Sequence, residues 1–555
     1  MQWRILNDSS DLSLLQRLFA VRNIQDHPDD FLSPSYARYR QPASEFDGML
    51  DATQRIIEAM QRQEKIMIFG DYDVDGIVSS FTLYTFFRSF LNYPHVSIRL
   101  PHRQHDGYGI QTKHMDMIKE AGVSLIITVD NGITAIEPAR HAKELGLDMI
   151  ITDHHKPLEI LPDALTIINP HLTPKLRFKE LCGTTVAYKL CTQLAAQLIT
   201  DPAQKIRMQE RLLPLVAIAT VADCMPLVDE NRLLVSKWLE IINTKRDKMI
   251  PSLAQFINHL NIKTAEAYHI GFMIAPRLNA TGRMGSAHDG LDCLLTQDIV
   301  KQLQLLQNME ERNTERKSIQ DDLYQSALSQ IDTDNNFLAA VSDEFHEGVI
   351  GIVAGKIAEK RKKPTLVGAI DKEAGTMVAS LRGPKGFHIV HMLQDAQHLL
   401  LRFGGHAQAG GLTVALDKLD DLLSHLQTYC RTNFSSDDEL TVTVDTKIHA
   451  HELDNKSMAD IHLLGPFGEW NPEPTFLIDR LIITQASKIG TKGAGHLKLQ
   501  AKHGNAPVTI MQRWKGDLHA SIATDTPTTL IWRVKKDTYK GGFYMEGMHI
   551  LQGEE

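Results

Sequence analysis

The sequence predicts an α/β protein of several domains: a parallel-sheet domain, a long connecting helix, a second α/β domain and a small antiparallel C-terminal barrel. Three observations carry this prediction. Between residues 65 and 168, near-continuous Val/Ile runs alternate with amphipathic helical patterns, as in a parallel sheet covered on both faces. Residues 298–331 form one long helical stretch, apolar at helical spacing at both ends. After residue 437 only short strand-like runs separated by turn residues remain. A chain of 555 residues is too long for one core, and roughly three or four domains are expected.

In chain order, residues 1–60 read as helices and loops punctuated by Pro28 and Pro34, with no identifiable chemistry. The domain at 61–297 begins with the strand Ile66–Phe69 and a Phe- and Leu-rich helix over 77–91. The strands 96–100, 125–129, 149–152 and 166–168 follow, with helices over 113–121 and 135–145, and residues 184–245 look largely helical. In the helix 298–331 the ends are apolar but Glu310 to Lys317 is almost wholly polar. A helix that loses its buried face midway fits a bridge between domains. A second α/β domain spans 332–436, with strands at 338–341, 365–370 and 377–381 and helices over 349–360 and from Ile389. The polar run from Ser435 to Asp438 marks the boundary of the barrel domain, 437–555.

The apolar strands end in acids. KIMIFGDYDVDG places Asp71, Asp73 and Asp75 at alternate positions directly after a buried strand, LIITV runs into Asp130-Asn131-Gly132, and MIIT runs into Asp153-His154-His155. A later helix, LLPLVAIATVA, runs into Asp223. Ligands in open α/β sheets bind at the carboxyl ends of the strands, and carboxylates crowded there repel one another unless a cation sits among them. A single Asp after a strand is usually a cap or turn residue, and a His pair is usually surface or satisfied core. Their joint occurrence at one sheet edge points to a metal centre. Carboxylate and imidazole ligands without thiolate suit Mn²⁺ and, less ideally, Mg²⁺.

DYDVDG, VDNG, DHH and ATVAD, in this order, resemble the motifs of the DHH phosphoesterase superfamily. FHEGVIGIVAG at 345–355 and FGGHAQAGG at 403–411 resemble the DHH-associated domain. With GRM at 282–284 and the terminal barrel, residues 45–555 resemble the branch of that superfamily made up of bacterial single-strand-specific 5′→3′ exonucleases. The resemblance implies a DHH domain, a DHH-associated domain and an OB-type barrel. It also implies two divalent cations, Mn²⁺ or Mg²⁺, held by Asp73, Asp75, Asp130, His154 and Asp223, with Asp130 as the bridge. Asp71 is either a further ligand or an acceptor that aims one. Asp153 and Asn131 stand behind the ligands, Asp153 orienting His154, and His155 faces the scissile phosphate. The implied reaction is metal-dependent release of mononucleotides from a 5′ end in DNA repair and recombination. The implied partners are single-stranded DNA, a single-strand-binding protein and a helicase.

A nuclease also needs groups for phosphates beyond the one it cuts. Arg103, Arg277, Arg283 and Arg382 sit beside Gly-rich or turn segments, Arg382 with Ser380, and a guanidinium fork matches phosphate oxygens. Any one of them could equally be a surface ion pair. Gly405 and His406, in GGHAQAGG, read as a backbone approach and a donor. Between Arg480 and Lys540 there are eleven Lys/Arg against three acids, in a chain of net charge −9. Aromatic residues interleave with this local reversal, and basic grooves with stacking aromatics hold single strands without sequence preference. Arg513, Trp514, Lys515, Arg533 and Lys535 are the candidate grip, while Trp532, inside TTLIWRV, reads as core.

The bulk numbers exclude several classes. The overall acidity argues against a generic polyanion binder. Five scattered cysteines without CxxC argue against a disulfide framework or a thiolate zinc site and fit a reducing cytosol. No apolar run approaches the ~20 residues of a membrane span, and the N-terminus lacks a signal-peptide core, so a cytoplasmic, membrane-free protein is expected. Nothing demands more than a monomer. Two rival readings stand beside this one. A small-molecule or short-oligonucleotide phosphodiesterase of the same superfamily would not need the basic barrel. A catalytically silent binding relative would have eroded acidic motifs, and here all are present.

Overall fold

The computed structural model describes residues 2–103, 105–435, 441–490, 495–504, 506–536 and 542–552. The expected boundary at 436–437 and the basic or aromatic positions 492, 539 and 540 lie outside the described residues. The chain folds into two compact units. One comprises Met1–Gln41, Cys224–Leu239 and Glu439–Glu555, the other Pro42–Asp223 and Glu240–Asp438.

Strand β1 (Gln2–Asn7) opens the chain and pairs in parallel with the strand Thr441–Lys447. The N-terminal stretch, read as helices and loops, therefore includes a sheet strand. Its alternation in QWRILN carries the signal, since Ile5 packs with Val444, Leu477 and Ile531.

In the second unit β2 (Lys65–Phe69), β3 (Val96–Arg99), β4 (Val123–Val129), β5 (Asp148–Thr152) and β6 (Thr166–Ile168) form an all-parallel sheet. Its order is β3-β2-β4-β5-β6. The Val/Ile runs are buried because helices cover the sheet: Phe69, Ile126 and Ile151 pack with Ile118 and Ala139. After β2 the chain enters the helix Val74–Thr85, capped by Asp73. Helices Gly183–Leu198 and Pro202–Ala222 lie against it.

The connecting helix is one 32-residue element, Ile299–Gln330, capped by Asp298. Its polar middle is not bare, contrary to expectation. Asn313 is buried, Glu310 pairs with Arg277, and Arg312 pairs with Asp289 at 2.5 Å. Beyond it β7 (Leu338–Ser342), β8 (Thr365–Asp371), β9 (Thr376–Arg382), β10 (Arg402–His406) and β11 (Ala409–Ala415) make a sheet of order β10-β11-β9-β8-β7. Here the segment FGGHAQAGG, read as a close backbone approach to a ligand with His406 as a donor, is a β-hairpin. Gly404 faces Gly411 and Gly405 faces Gly410, so no side-chain alternation reveals it.

In the first unit β12 (Thr441–Lys447), β13 (Phe476–Ile489), β14 (His496–His503), β15 (Ala506–Gln512), β16 (Pro527–Lys536) and β17 (Phe543–Gln552) join β1. Strands β13, β14, β15, β17 and β16 close into a barrel. The expected antiparallel barrel contains one parallel seam, β15 with β17. A closed ring of five strands cannot alternate direction all the way round, so one seam must be parallel. Trp532 is fully buried against Phe476 as core. Among the described residues no helix is long and apolar enough to cross a membrane.

Candidate metal centre and nucleic-acid interface

The carboxyl ends of β2, β4 and β5 converge, and three overlapping groups of donor atoms lie within 4.8 Å of one another: Asp71, Asp73 and Asp130; Asp75, His154 and Asp223; and Asp130, His154 and His155. His154 Nε2 stands 3.1 Å from Asp130 Oδ1, 3.6 Å from Asp223 Oδ2 and 3.8 Å from Asp75 Oδ2. Each ligand position has a local cause. Asp130 adopts a left-handed backbone (φ 60°), which Asp tolerates, and this turns the chain sharply at the end of β4. A Cβ on Gly183 would fall 2.6 Å from the Asp130 Cβ, so only glycine lets the helix Gly183–Leu198 approach so closely.

That helix terminus holds Asp75. One carboxylate oxygen accepts from the Gly183 N–H at 2.6 Å, and the other from the Thr184 N–H at 2.7 Å and its hydroxyl at 2.6 Å. The sequence reading missed Gly183 and Thr184; a Gly-Thr-Thr start to an apolar helix was the available signal. Asn279, also missed, caps the helix Val74–Thr85 by accepting the Val74 N–H at 3.2 Å.

The electrostatics are those of a cation site. Burial pushes Asp71 up to about 8 and Asp75 up to about 6, Asp73 adding repulsion to both. Burial, with the neighbouring carboxylates, raises Asp130 and Asp223 well above the ordinary range. Burial holds His154 down to about 3, so its imidazole is neutral and able to ligate. Asp71 Oδ1, Asp130 Oδ1, His154 Nε2 and Asp223 Oδ2 are buried without a hydrogen-bond partner. Four orphaned hard or borderline donors around one space fit divalent cations such as Mn²⁺ or Mg²⁺.

One assignment changes. Asp153, expected to orient His154, reaches only its backbone N–H, at 2.7 Å. The ring it holds is that of His155, through Nδ1 at 2.7 Å. Against the lowering effect of burial, the Asp153 charge and this bond lift His155 to about 9. Tyr108 places its hydroxyl 3.3 Å from both His155 ring nitrogens and donates to the Asp130 carbonyl at 3.2 Å. Asn131 donates to the Phe69 and Val129 carbonyls and accepts the Ile110 N–H, tying the ends of β2 and β4 together.

The phosphate candidates separate into groups. A cavity of about 160 Å³ is lined by His102, Arg103, Gly282, Arg283, Met284, Gly285 and His346. There Arg103 stacks over Tyr72 at 4.0 Å, and burial followed by Arg103 lowers Arg283 to about 10. Ser380 and Arg382 are joined at 2.8 Å on β9. His406, two strands away, lies parallel to His155 with ring centroids 6.2 Å apart. Gly405 turns at φ 153°, where a Cβ would strike the Ala409 carbonyl. Arg277 stands apart from the cavity: its fork is taken by Glu310 and the Met273 carbonyl. On the barrel, Trp514 is 62% exposed beside Lys515. Arg513 pairs with Glu546 at 3.2 Å, Lys535 with Glu473 at 2.6 Å, and Arg533 shares the outer face of β16 with Lys535. Acids outside the counted window thus temper the local basicity.

Comparison with known proteins agrees with this geometry. The DHH family N-terminal domain matches residues 65–220, the DHHA1 domain 334–432 and the RecJ OB domain 444–548. The chain is 34% identical over 507 residues to the single-stranded-DNA-specific exonuclease RecJ of Bacillus subtilis, covering 90% of this chain and 62% of that relative. It is 31% identical to the same enzyme of Haemophilus influenzae, covering 90% of this chain and 88% of that one. The crystal structure of RecJ in complex with Mn²⁺ from Thermus thermophilus superposes with a TM-score of 0.83 at 26% identity, covering 100% of this chain and 80% of that chain.

Proposed function

The chain belongs to the RecJ family of single-stranded-DNA-specific exonucleases in the DHH superfamily, and from this we propose that it is a metal-dependent 5′→3′ exonuclease that degrades single-stranded DNA to mononucleotides. The observation that carries the reading is the set of four buried, unpartnered donor atoms on Asp71, Asp130, His154 and Asp223. When bound there, two divalent cations supply the Lewis acidity that makes water a nucleophile at neutral pH and offsets the charge of the leaving oxygen.

The chain's own residues do the rest. Asp73, Asp75, Asp130, His154 and Asp223 would hold the cations, with Asp71 completing the acidic wall. The Gly183 and Thr184 donors fix Asp75 in one rotamer, so both its lone-pair directions are set before substrate arrives. His155, kept cationic by Asp153, offers a charged donor to the scissile phosphate. Arg103, Arg283, Ser380, Arg382, Gly405 and His406 receive the phosphates at the 5′ end. The barrel residues Arg513, Trp514, Lys515, Arg533 and Lys535 add sequence-independent grip on the strand. We further propose a cytoplasmic monomer supplied with single strands by a helicase and a single-strand-binding protein, in repair and recombination.

The test is digestion of 5′- and 3′-labelled single and double strands with Mn²⁺, Mg²⁺ or chelator. Mononucleotides should appear from the 5′ end of single strands only, and none with chelator. Asp130→Ala should abolish cleavage while single-strand binding persists; full activity in that variant would sink the metal assignment.

A further inference from the structure

The sheet of β7 to β11 has two unlike faces. One carries Met377, Ala379, Leu381, Leu412 and Val414 into a core with Ile389 and Leu422. On the other, the pairing aligns three rows across β10, β11 and β9: His406, Ala409 and Arg382; Gly404, Gly411 and Ser380; Arg402, Thr413 and Val378. The helix Glu347–Arg361 covers this face at β9, since a Cβ on Gly351 would meet Ser380 Oγ at 3.1 Å and Arg382 Nη2 at 3.2 Å. It does not cover β10, whose five residues are all exposed. A Cβ at Gly404 would meet nothing within 4 Å, and one at Gly411 only the Ala379 carbonyl at 3.7 Å.

The result is a bare two-stranded shelf. At one end lie Arg382 and His406, beside the catalytic His155. At the other end, four residues along β10 and so roughly 13 Å away, stands Arg402. Among the described residues no hydrogen bond or ion pair engages its guanidinium. It lies near the loop of the catalytic domain, because a Cβ on Gly107, the neighbour of Tyr108, would fall 3.7 Å from Arg402 Nη1. An unpaired guanidinium on an exposed edge strand, beside the bare Gly404 position, has no packing role, and a fork of five donors suits a phosphate.

We propose that Arg402 binds a backbone phosphate of the same strand, beyond the one held at the Arg382–His406 row, and that the Gly404–Gly411 floor carries the nucleotide between them. This rests on the single-strand exonuclease reading above. The floor admits one strand because nothing rises from it, and Arg402 sets how far along the strand the enzyme counts charge.

The test uses the full chain and a 5′-phosphorylated oligodeoxynucleotide, with binding measured in chelator across a salt series. Arg402→Ala should weaken binding about tenfold and lower the salt slope by about one. Arg402→Lys should keep the wild-type slope, and Gly404→Leu should weaken binding with the slope unchanged. Replacing single linkages by uncharged methylphosphonates should reveal one position that weakens the wild type and leaves Arg402→Ala unaffected. Wild-type affinity and slope in Arg402→Ala, or identical methylphosphonate profiles in the two proteins, would overturn the assignment. If the binding results hold but no variant or wild type degrades single strands with Mn²⁺, the exonuclease reading falls and the strand contact stands.

Discussion

Asp71 and Asp75 show what a metal site costs a fold before the metal arrives. Their carboxyls are pushed up to about 8 and about 6, chiefly by burial, above the ~3.9 of a free Asp. In metal-free protein the folded state then holds protons that the unfolded chain has released. Stability is greatest below the unfolded value and is lost as pH rises through 6 and 8. The melting temperature in chelator should therefore fall from pH 5 to pH 9, and saturating Mn²⁺ should remove most of that slope; a rise in chelator would contradict the assignment. Thr184→Val removes one hydroxyl donor from Asp75 while keeping the side-chain volume. Mn²⁺ affinity, read by calorimetry, should drop by roughly 10- to 100-fold.

At the scale of elements, the connecting helix and the β10–β11 hairpin carry the lessons. Polar residues at Glu310 to Lys317 signalled loss of a buried face, yet the helix is tied there by Arg277–Glu310 and Arg312–Asp289. Period alone cannot distinguish a solvated face from one that packs through ion pairs. Since Arg277 is occupied and its partner is partly exposed, Arg277→Ala should shift stability by at most about 1 kcal/mol. It should leave KM for single strands near wild type, whereas Arg103→Ala should raise it. Equal losses in both variants, measured on the same oligonucleotide, would return Arg277 to the phosphate set. The hairpin was hidden because glycine has no side chain with which to show a period of two.

For the molecule as a whole, sequence order and spatial grouping diverge at the ends. Leu14, Leu18, Phe19 and Phe31 share a core with Phe476, Ile478 and Trp532. Arg232, stacked on Phe31, donates to the Leu464 and Gly465 carbonyls. Removing residues 440–555 would strip that core and strand a buried guanidinium, so truncation is a poor probe of the barrel. Replacing Arg513, Trp514 and Lys515 together by Ser touches one exposed turn instead. Binding of long single strands should weaken and its salt slope fall by about two, with the melting temperature and cleavage of very short oligonucleotides near wild type. A matching loss on short substrates would argue against the barrel as a separate grip.

The acidic motifs, the parallel sheet and the barrel were legible in residue order because each is a local statement: strand period, a carboxylate at a strand end, turns between short strands. The resemblance implies Asp73, Asp75, Asp130, His154 and Asp223 as ligands and leaves Asp71 as a ligand or an aiming acceptor, and the fold brings donor atoms of all six into overlapping groups. Hydrogen-bond partners were not legible, because they join residues far apart in the chain. Asp75 is set by Gly183 and Thr184, more than a hundred positions on. Asp153 chooses His155 over its neighbour by a side-chain direction that sequence does not encode. Arg277 and Arg402 look alike as residues; packing pairs one with Glu310 and leaves the other open above a floor of glycine.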